Sequence, residues 1–81
     1  MKTGFQLEIR TPEKKVYSGA ITALTARAID GELGILAGHI PLATALAAGR
    51  VSYLAENGEQ GGVDCQGGFL FIDNGAATVL L

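Results

Sequence analysis

Tryptophan is absent from this 81-residue chain, cysteine and histidine occur once each, and proline occurs twice. A single cysteine cannot close an internal disulfide, so nothing here implies an oxidising compartment. One histidine and one cysteine, well apart in sequence, give no cluster of three or four ligands, and neither a metal nor a cofactor is expected. Charge is also scarce: 17% of residues are charged, and the formal net charge is -2. Lys2, Arg10, Lys14, Lys15, Arg27 and Arg50 are dispersed and form no stripe that could neutralise successive phosphates. Without a tryptophan to stack bases either, no nucleic acid partner is expected. No apolar run reaches the ~18 residues that suggest a membrane span. The start, MKTGFQLEIR, lacks the continuous apolar core of a signal peptide. The length predicts one domain over residues 1–81, near the size where a single core is barely sufficient and partners add stability.

What the chain does have is 48% hydrophobic residues and 12 glycines. That is too apolar for intrinsic disorder, and it leaves room for apolar surface patches of the kind that mark association sites. Phe5, Leu7 and Ile9 alternate with Gln6, Glu8 and Arg10, the period of a half-buried strand. Thr11-Pro12-Glu13 predicts a turn, followed by a short strand over Lys15 to Ser18 closed by Gly19. Ala20 to Ile29 fits both periods: Ile21, Leu24 and Ala28 have helical spacing, while Thr22 and Thr25 favour a strand. Leu42 to Ala48 poses the same choice. Farther on, Arg50 to Glu56 and Glu59 to Cys65 flank Asn57-Gly58, and Phe69 to Asp73 and Ala76 to Leu81 flank Asn74-Gly75. Asn-Gly is the preferred pair of two-residue type I′ turns, so two successive hairpins forming an antiparallel meander are predicted. The unbroken run Phe69-Leu70-Phe71-Ile72 predicts a strand buried on both faces.

The chain is organised around Asp30 to Leu46, which holds Gly31, Gly34, Gly38, Pro41 and the only histidine, His39, in otherwise apolar surroundings. These glycines match no phosphate-cradling spacing, and backbone shape is the reading for them. From Gly31 to Pro41 an exposed, shaped loop is expected. His39 near Asp30 and Glu32 resembles a base with an orienting carboxylate, yet no nucleophile has a fixed relation to it, so contact is favoured over catalysis. Glu56, Glu59 and Asp64 bracket a predicted turn and read as solvated. Cys65 reads as a small buried hydrophobe. Gly67-Gly68 reads as a bulge or a close backbone approach.

Gly31-Glu32-Leu33-Gly34-Ile35-Leu36, Gly38-His39, Pro41-Leu42 and Thr44-Ala45-Leu46 together resemble the signature of the F-type ATP synthase epsilon chain. Thr11-Pro12-Glu13, Tyr17-Ser18-Gly19, Gly67-Gly68-Phe69-Leu70 and Thr78-Val79-Leu80 support it in the family's order. The resemblance covers the family's amino-terminal domain and implies an all-β fold, a small antiparallel β-sandwich of two packed sheets. On that basis both ambiguous segments are assigned to strands. It further implies a non-catalytic rotor subunit of the central stalk that clamps the gamma subunit and rests on the polar loops of the c-ring. Such a subunit couples proton- or sodium-driven rotation to ATP synthesis. The location implied is the cytoplasmic face of the inner, energy-transducing membrane, peripheral and held through the complex. The residues it points to as rotor interface are Gly31, Glu32, Gly38, His39 and Pro41. The family's helical hairpin lies beyond Leu81, so this stretch is expected to couple without inhibiting hydrolysis.

The rival from another class is a small β-sandwich carrier or ligand-binding module of lipoyl or biotinyl type. It needs a lysine at an exposed hairpin tip, and no lysine follows Lys15. An enzyme is the weakest reading of this residue inventory.

Overall fold

The computed structural model describes residues 4–38 and 41–81, and His39 and Ile40 lie outside them. Eight strands account for almost everything described: β1 (Phe5–Arg10), β2 (Lys15–Ala28), β3 (Gly31–Leu36), β4 (Leu42–Leu46), β5 (Gly49–Ala55), β6 (Gln60–Cys65), β7 (Gly68–Asp73) and β8 (Ala76–Leu80). Both segments with helical spacing are strands. The hydrogen-bonded order is β1-β8-β7-β4-β2-β5-β6, with β3 on β2 and a further pairing of β1 with β2. The sheet therefore doubles back on itself and encloses a core of aliphatic side chains.

The longest strand, β2, explains the mixed periodicity. In its first half Tyr17, Gly19 and Ile21 stand opposite Ile9, Leu7 and Phe5 of β1 and point inward. The register then slips by one residue at Thr22, between the pairs Ile21↔Ala55 and Ala23↔Leu54. A bulge of this kind moves the inward face from odd to even positions. Leu24, Ala26 and Ala28 are the buried residues beyond it. The interval of three between Ile21 and Leu24 is thus a strand with one extra residue rather than a helical turn. Gly19 does not close a short strand either. Its backbone is extended, and the Tyr17 side chain occupies the space a methyl group would take, with its hydroxyl oxygen at 2.8 Å.

Ile9, Ile21, Leu70 and Val79 are fully enclosed, and Leu7, Leu24, Ile35, Val51 and Ala77 nearly so. Each large aliphatic side chain taken from water contributes about 1.5–3 kcal/mol, which makes this core the main source of stability. Tyr17 and Tyr53 pack against its margin with ring centroids 4.2 Å apart. The Tyr53 ring lies flat over Gly61 of β6, 2.5 Å from the position of an added methyl group. An aromatic ring here supplies the packing that the edge-strand glycine lacks.

Three further expectations need correction. Successive hairpins β5–β6 and β7–β8 form no meander, because β6 ends the sheet path while β7 pairs with β4. Gly67 and Gly68, both with positive φ, carry the chain between layers. Nor is the fold wholly antiparallel, since β1 and β8 pair in parallel from Gln6↔Ala76 to Arg10↔Leu80. First and last strands both run away from the same end, so no turn joins them and nothing imposes an antiparallel pairing. The third concerns turns. Asn74 (φ 51°) and Gly75 (φ 74°) form the expected two-residue turn, with Asp73 opposite Ala76. At the other Asn-Gly only Gly58 has positive φ, and the amide of Ala55 donates to the Glu59 carbonyl at 2.8 Å. That loop has three residues, Glu56 to Gly58. Its type is set where Asn57 keeps a negative φ and uses its side-chain oxygen to accept from the Glu59 amide at 2.9 Å.

Gly68 combines positive φ (149°) with a close approach of the Leu80 carbonyl to its α-carbon, the close backbone approach expected of the paired glycines. Gly68→Ala should lower stability by about 2–4 kcal/mol, because both strain and backbone collision act against it. Urea denaturation of the variant beside the parent checks this. Burial first, then the neighbouring Tyr17 and Glu59, raise the Tyr53 phenol above its ordinary 10.0. Its folded value thus exceeds its unfolded one, so its contribution is fully present below about pH 10 and is lost as pH rises through the folded value. Tyr53→Phe should flatten that alkaline loss, measured by denaturation on either side of about pH 10.

Candidate functional site

β2 and β3 form a tight hairpin in which Ala28 faces Gly31 and Leu24 faces Ile35, with Ile29 and Asp30 at its tip. The Ile29 amide donates to the Ala45 carbonyl at 3.2 Å, and the Ala47 amide to the Arg27 carbonyl at 2.9 Å. These bonds tie the tip to the end of β4. Gly31 has φ 129°, which suits the glycine found there. Glu32 follows on the outer side, 4.0 Å from the Arg27 guanidinium, with both groups exposed. Such a pair contributes little to stability and leaves the carboxylate free to contact another molecule.

The segment expected as one loop is therefore half strand. Gly31 to Leu36 alternate as a ladder partner of β2, with Ile35 buried and Leu33 half-buried. Gly34 has open space around it and adapts to the strand without a special conformation. With about 3.3 Å per residue, six strand residues separate the ends of β3 by roughly 17 Å. Gly31 and Glu32 thus sit at one end, and Gly38 at the other. Gly38 (φ 84°) turns the chain beside Gly75 of the β7–β8 turn. Between them lies a hollow of about 50 Å³ lined also by Phe5, Ile35 and Ile72. Exposed Pro41 enters β4 at the same end, where Leu42 pairs with Ile72. His39, the remaining candidate, lies outside the described residues.

The two outer sheet faces differ in chemistry. Across β3, β2, β5 and β6, one row is small and hydroxylic: Gly34, Thr25, Ser52 and Gly62 are successive partners. Beside it runs a charged row in which Arg50 donates to Asp64 at 3.1 Å and spreads its guanidinium over Gly62. On the other layer β4, β7 and β8 turn out Ala43 and Ala45, Phe69 and Phe71, and Leu80. Phe69 is 54% exposed, Phe71 40% and Leu80 39%. The strand expected to be buried on both faces is buried on one, through Leu70 and Ile72, because no further layer covers the other. This surface escaped sequence reasoning, since an unbroken apolar run conceals its own alternation.

At the border of that face Arg10 donates to Glu8 at 2.6 Å, with Lys15 at 3.9 Å from the same carboxylate oxygen. The hydrogen bond from Arg10 holds the Glu8 carboxyl below its ordinary value, and the charge of Lys15 adds to it. Cys65 is buried as expected, its thiol set against the carbonyl and amide of Gly67 at 3.3 Å each. Among the described residues there is no group of three histidine, cysteine or acidic side chains that could hold a metal ion, and no helix long and apolar enough to cross a membrane.

Residues 4–81 match the family model for the ATP synthase Delta/Epsilon chain, beta-sandwich domain. The chain belongs to this family. It is 43% identical over 75 residues to an ATP synthase epsilon chain of Acinetobacter baumannii, a match covering 93% of this chain and 54% of that one. A Natranaerobius thermophilus ATP synthase epsilon chain is 44% identical over 77 residues, covering 94% and 55%. The chain spans about half the length of the curated relatives it matches. Among solved structures, a chain in the Euglena gracilis mitochondrial ATP synthase with OSCP, F1 and c-ring superposes with a TM-score of 0.90 at 24% identity, covering 99% of this chain and 51% of that one. A chain from the central stalk and c-ring of the Tetrahymena thermophila mitochondrial ATP synthase gives 0.74 at 18%, covering 93% and 60%. At such identities the likeness is one of fold. The all-β sandwich that the resemblance implied is the architecture found, and the stretch Gly31 to Leu36, on which the resemblance was drawn, is strand β3.

Proposed function

We propose that this sandwich is the coupling domain of a non-catalytic central-stalk subunit in an F-type ATP synthase, joining the gamma subunit to the polar loops of the c-ring. The family match over residues 4–81 is the observation that carries the reading. Rotation of the ring driven by protons or sodium ions would then reach the stalk through this body and support ATP synthesis. Stiffness is what that task asks of the domain, and a close-packed interior transmits strain with little compression. The complex holds the domain at the cytoplasmic face of the energy-transducing membrane, where it is peripheral.

The proposed contact with the ring and the foot of gamma follows the β3 edge. Gly31 and Glu32 mark one end of it, and Gly38 and Pro41 the other; His39 is assigned to the same contact by the family resemblance alone. β3 pairs only with β2 among the described strands, so its second edge is open along the length between these ends. A contact spread along about 17 Å of rigid strand resists twisting better than one point on a loop would.

Mixing the purified chain with its cognate gamma subunit should give a one-to-one complex that binds c-rings. No complex in size-exclusion chromatography would end this reading. Glu32→Lys, or His39→Ala, should weaken assembly or coupling, and Glu32→Lys, at an exposed position, should leave the stability of the isolated domain within about 0.5 kcal/mol. Normal coupling in the double variant would remove the β3 edge from the interface. Added to an enzyme depleted of its epsilon subunit, the 81-residue domain should restore ion-driven synthesis and leave ATP hydrolysis unsuppressed. Hydrolysis rates with and without saturating domain, together with an ATP titration by calorimetry, test this. Strong suppression or micromolar ATP binding would contradict it.

A further inference from the structure

The outer face of β3, β2, β5 and β6 is laid out in three rows that cross the strands, about 7 Å apart as two strand residues dictate. Leu36, Ala23, Leu54 and Gln60 are successive partners in the first row, and Gly34, Thr25, Ser52 and Gly62 in the second. The third holds two pairs, Glu32 with Arg27 and Arg50 with Asp64. Because the second row has only glycines and short hydroxyl side chains, it floors a groove between the other two. Hollows of about 450 and 510 Å³ lie in this groove and share Thr25, Arg50 and Ser52.

Charge decides what fits there. Arg27 and Arg50 both line the larger hollow. Arg27 lies along β5, its Cδ 3.6 Å from where a methyl group on Gly49 would stand, and Arg50 lies across Gly62 with guanidinium nitrogens 3.0 and 3.1 Å from the equivalent point. Like charges brought together on neighbouring strands are destabilising, and an anion between them removes the conflict. Their own carboxylates are not between them. Glu32 and Asp64 flank the arginines from the two outer strands, at 4.0 and 3.1 Å. A guanidinium carries five N–H donors and one carboxylate engages at most two, so each arginine keeps donors for the groove. Together with the Thr25 and Ser52 hydroxyls they suit a tetrahedral phosphate, which accepts on every oxygen. The same carboxylates, with Asp30 at the adjoining hairpin tip, repel an extended anionic surface but leave room for a small solute.

We propose that this groove binds a small phosphate-bearing solute, its phosphate held between Arg27 and Arg50 over the Thr25 and Ser52 hydroxyls and its apolar remainder laid against Ala23 and Leu54. The second hollow, which those two apolar residues line, is the room for that remainder. The site shares only the Glu32 carboxylate with the β3-edge contact. Its failure would therefore leave the coupling role standing.

The test is a titration of the 81-residue chain with inorganic phosphate and with phenyl phosphate, followed by amide chemical shifts at an ionic strength fixed with chloride. Saturable shifts are expected at Thr25, Arg27, Arg50 and Ser52, with a Kd on the order of 1 mM for inorganic phosphate, the scale of a few exposed charge-assisted bonds. Phenyl phosphate should bind at least ~3-fold more tightly, since its ring covers apolar surface. Arg27→Gln/Arg50→Gln should weaken both ligands by at least ~10-fold. Arg50→Lys keeps the charge but loses the planar fork, and should weaken them by ~3-fold or more. Lys14→Gln, an equal loss of charge at an exposed position, should stay within about twofold. Thr25→Val leaves both arginines in place and should lose ~5-fold, so it reports on the site even if the double variant folds poorly. Shifts that stay linear up to about 50 mM phosphate would overturn the site, because no Kd near 1 mM is compatible with them. So would a loss in Lys14→Gln as large as in the double variant. Equal affinity for the two probes would strike the apolar row from the site. Sedimentation of the chain with phosphatidylglycerol vesicles, abolished in the double variant, would overturn the small solute in favour of a membrane.

Discussion

The slip in register at Thr22 is the constraint on which the rest of this domain depends. β2 must serve two layers, pairing with β1 before the bulge and with β3 and β5 after it. If the strand kept one phase throughout, either Tyr17, Gly19 and Ile21 or Leu24, Ala26 and Ala28 would point to solvent. One extra residue, held where the Thr22 hydroxyl reaches the Leu54 carbonyl at 3.4 Å, lets both sets enter the same core. The packing of Leu7, Ile9, Ile35 and Val79 follows from that choice, because their strands are placed by their ladders on β2 or on a neighbour of β2.

Strand content was legible wherever a single period held, as in β1, and wherever turn chemistry was unambiguous, as at Asn74-Gly75. It was illegible on physical grounds alone at Ala20 to Ile29, because a bulge imitates helical spacing over one interval. Partner choice between strands was not legible either. The parallel pairing of β1 with β8 and the separation of β6 from β7 depend on contacts far apart in sequence, which no local pattern records. Of the candidate residues, Glu32 has the exposure its chemistry suggested. Gly31 to Leu36 was read as loop because glycines at two of its six positions mask an alternation in which Leu33 and Ile35 alone turn inward. The aromatic face was missed for the opposite reason, since a run with no polar member gives no sign of which half meets water.

The layers also divide the surface by chemistry. Small, hydroxylic and paired charged side chains occupy most of the outside of β2, β5 and β6, where Arg50 covers Gly62 and finds Asp64, with one apolar row of Ala23 and Leu54 continued by Leu36 of β3. Polar cover of this sort keeps an edge strand with two consecutive glycines from inviting a foreign strand. The opposite layer lacks such cover but has no open edge at its centre. Its apolar rings are exposed on strands whose backbones are already saturated, which favours selective docking over indiscriminate sheet extension.

The parallel pairing of the first and last strands gives the domain a mechanical character. The chain enters β1 at Phe5 and leaves β8 at Leu80, and these points lie at opposite ends of one ladder. Tension between them runs along the strands, so the five rungs from Gln6–Ala76 to Arg10–Leu80 are sheared together and do not open one at a time as in an unzipped hairpin. Pulled by its two ends, the fold is loaded in the direction in which a sheet yields least.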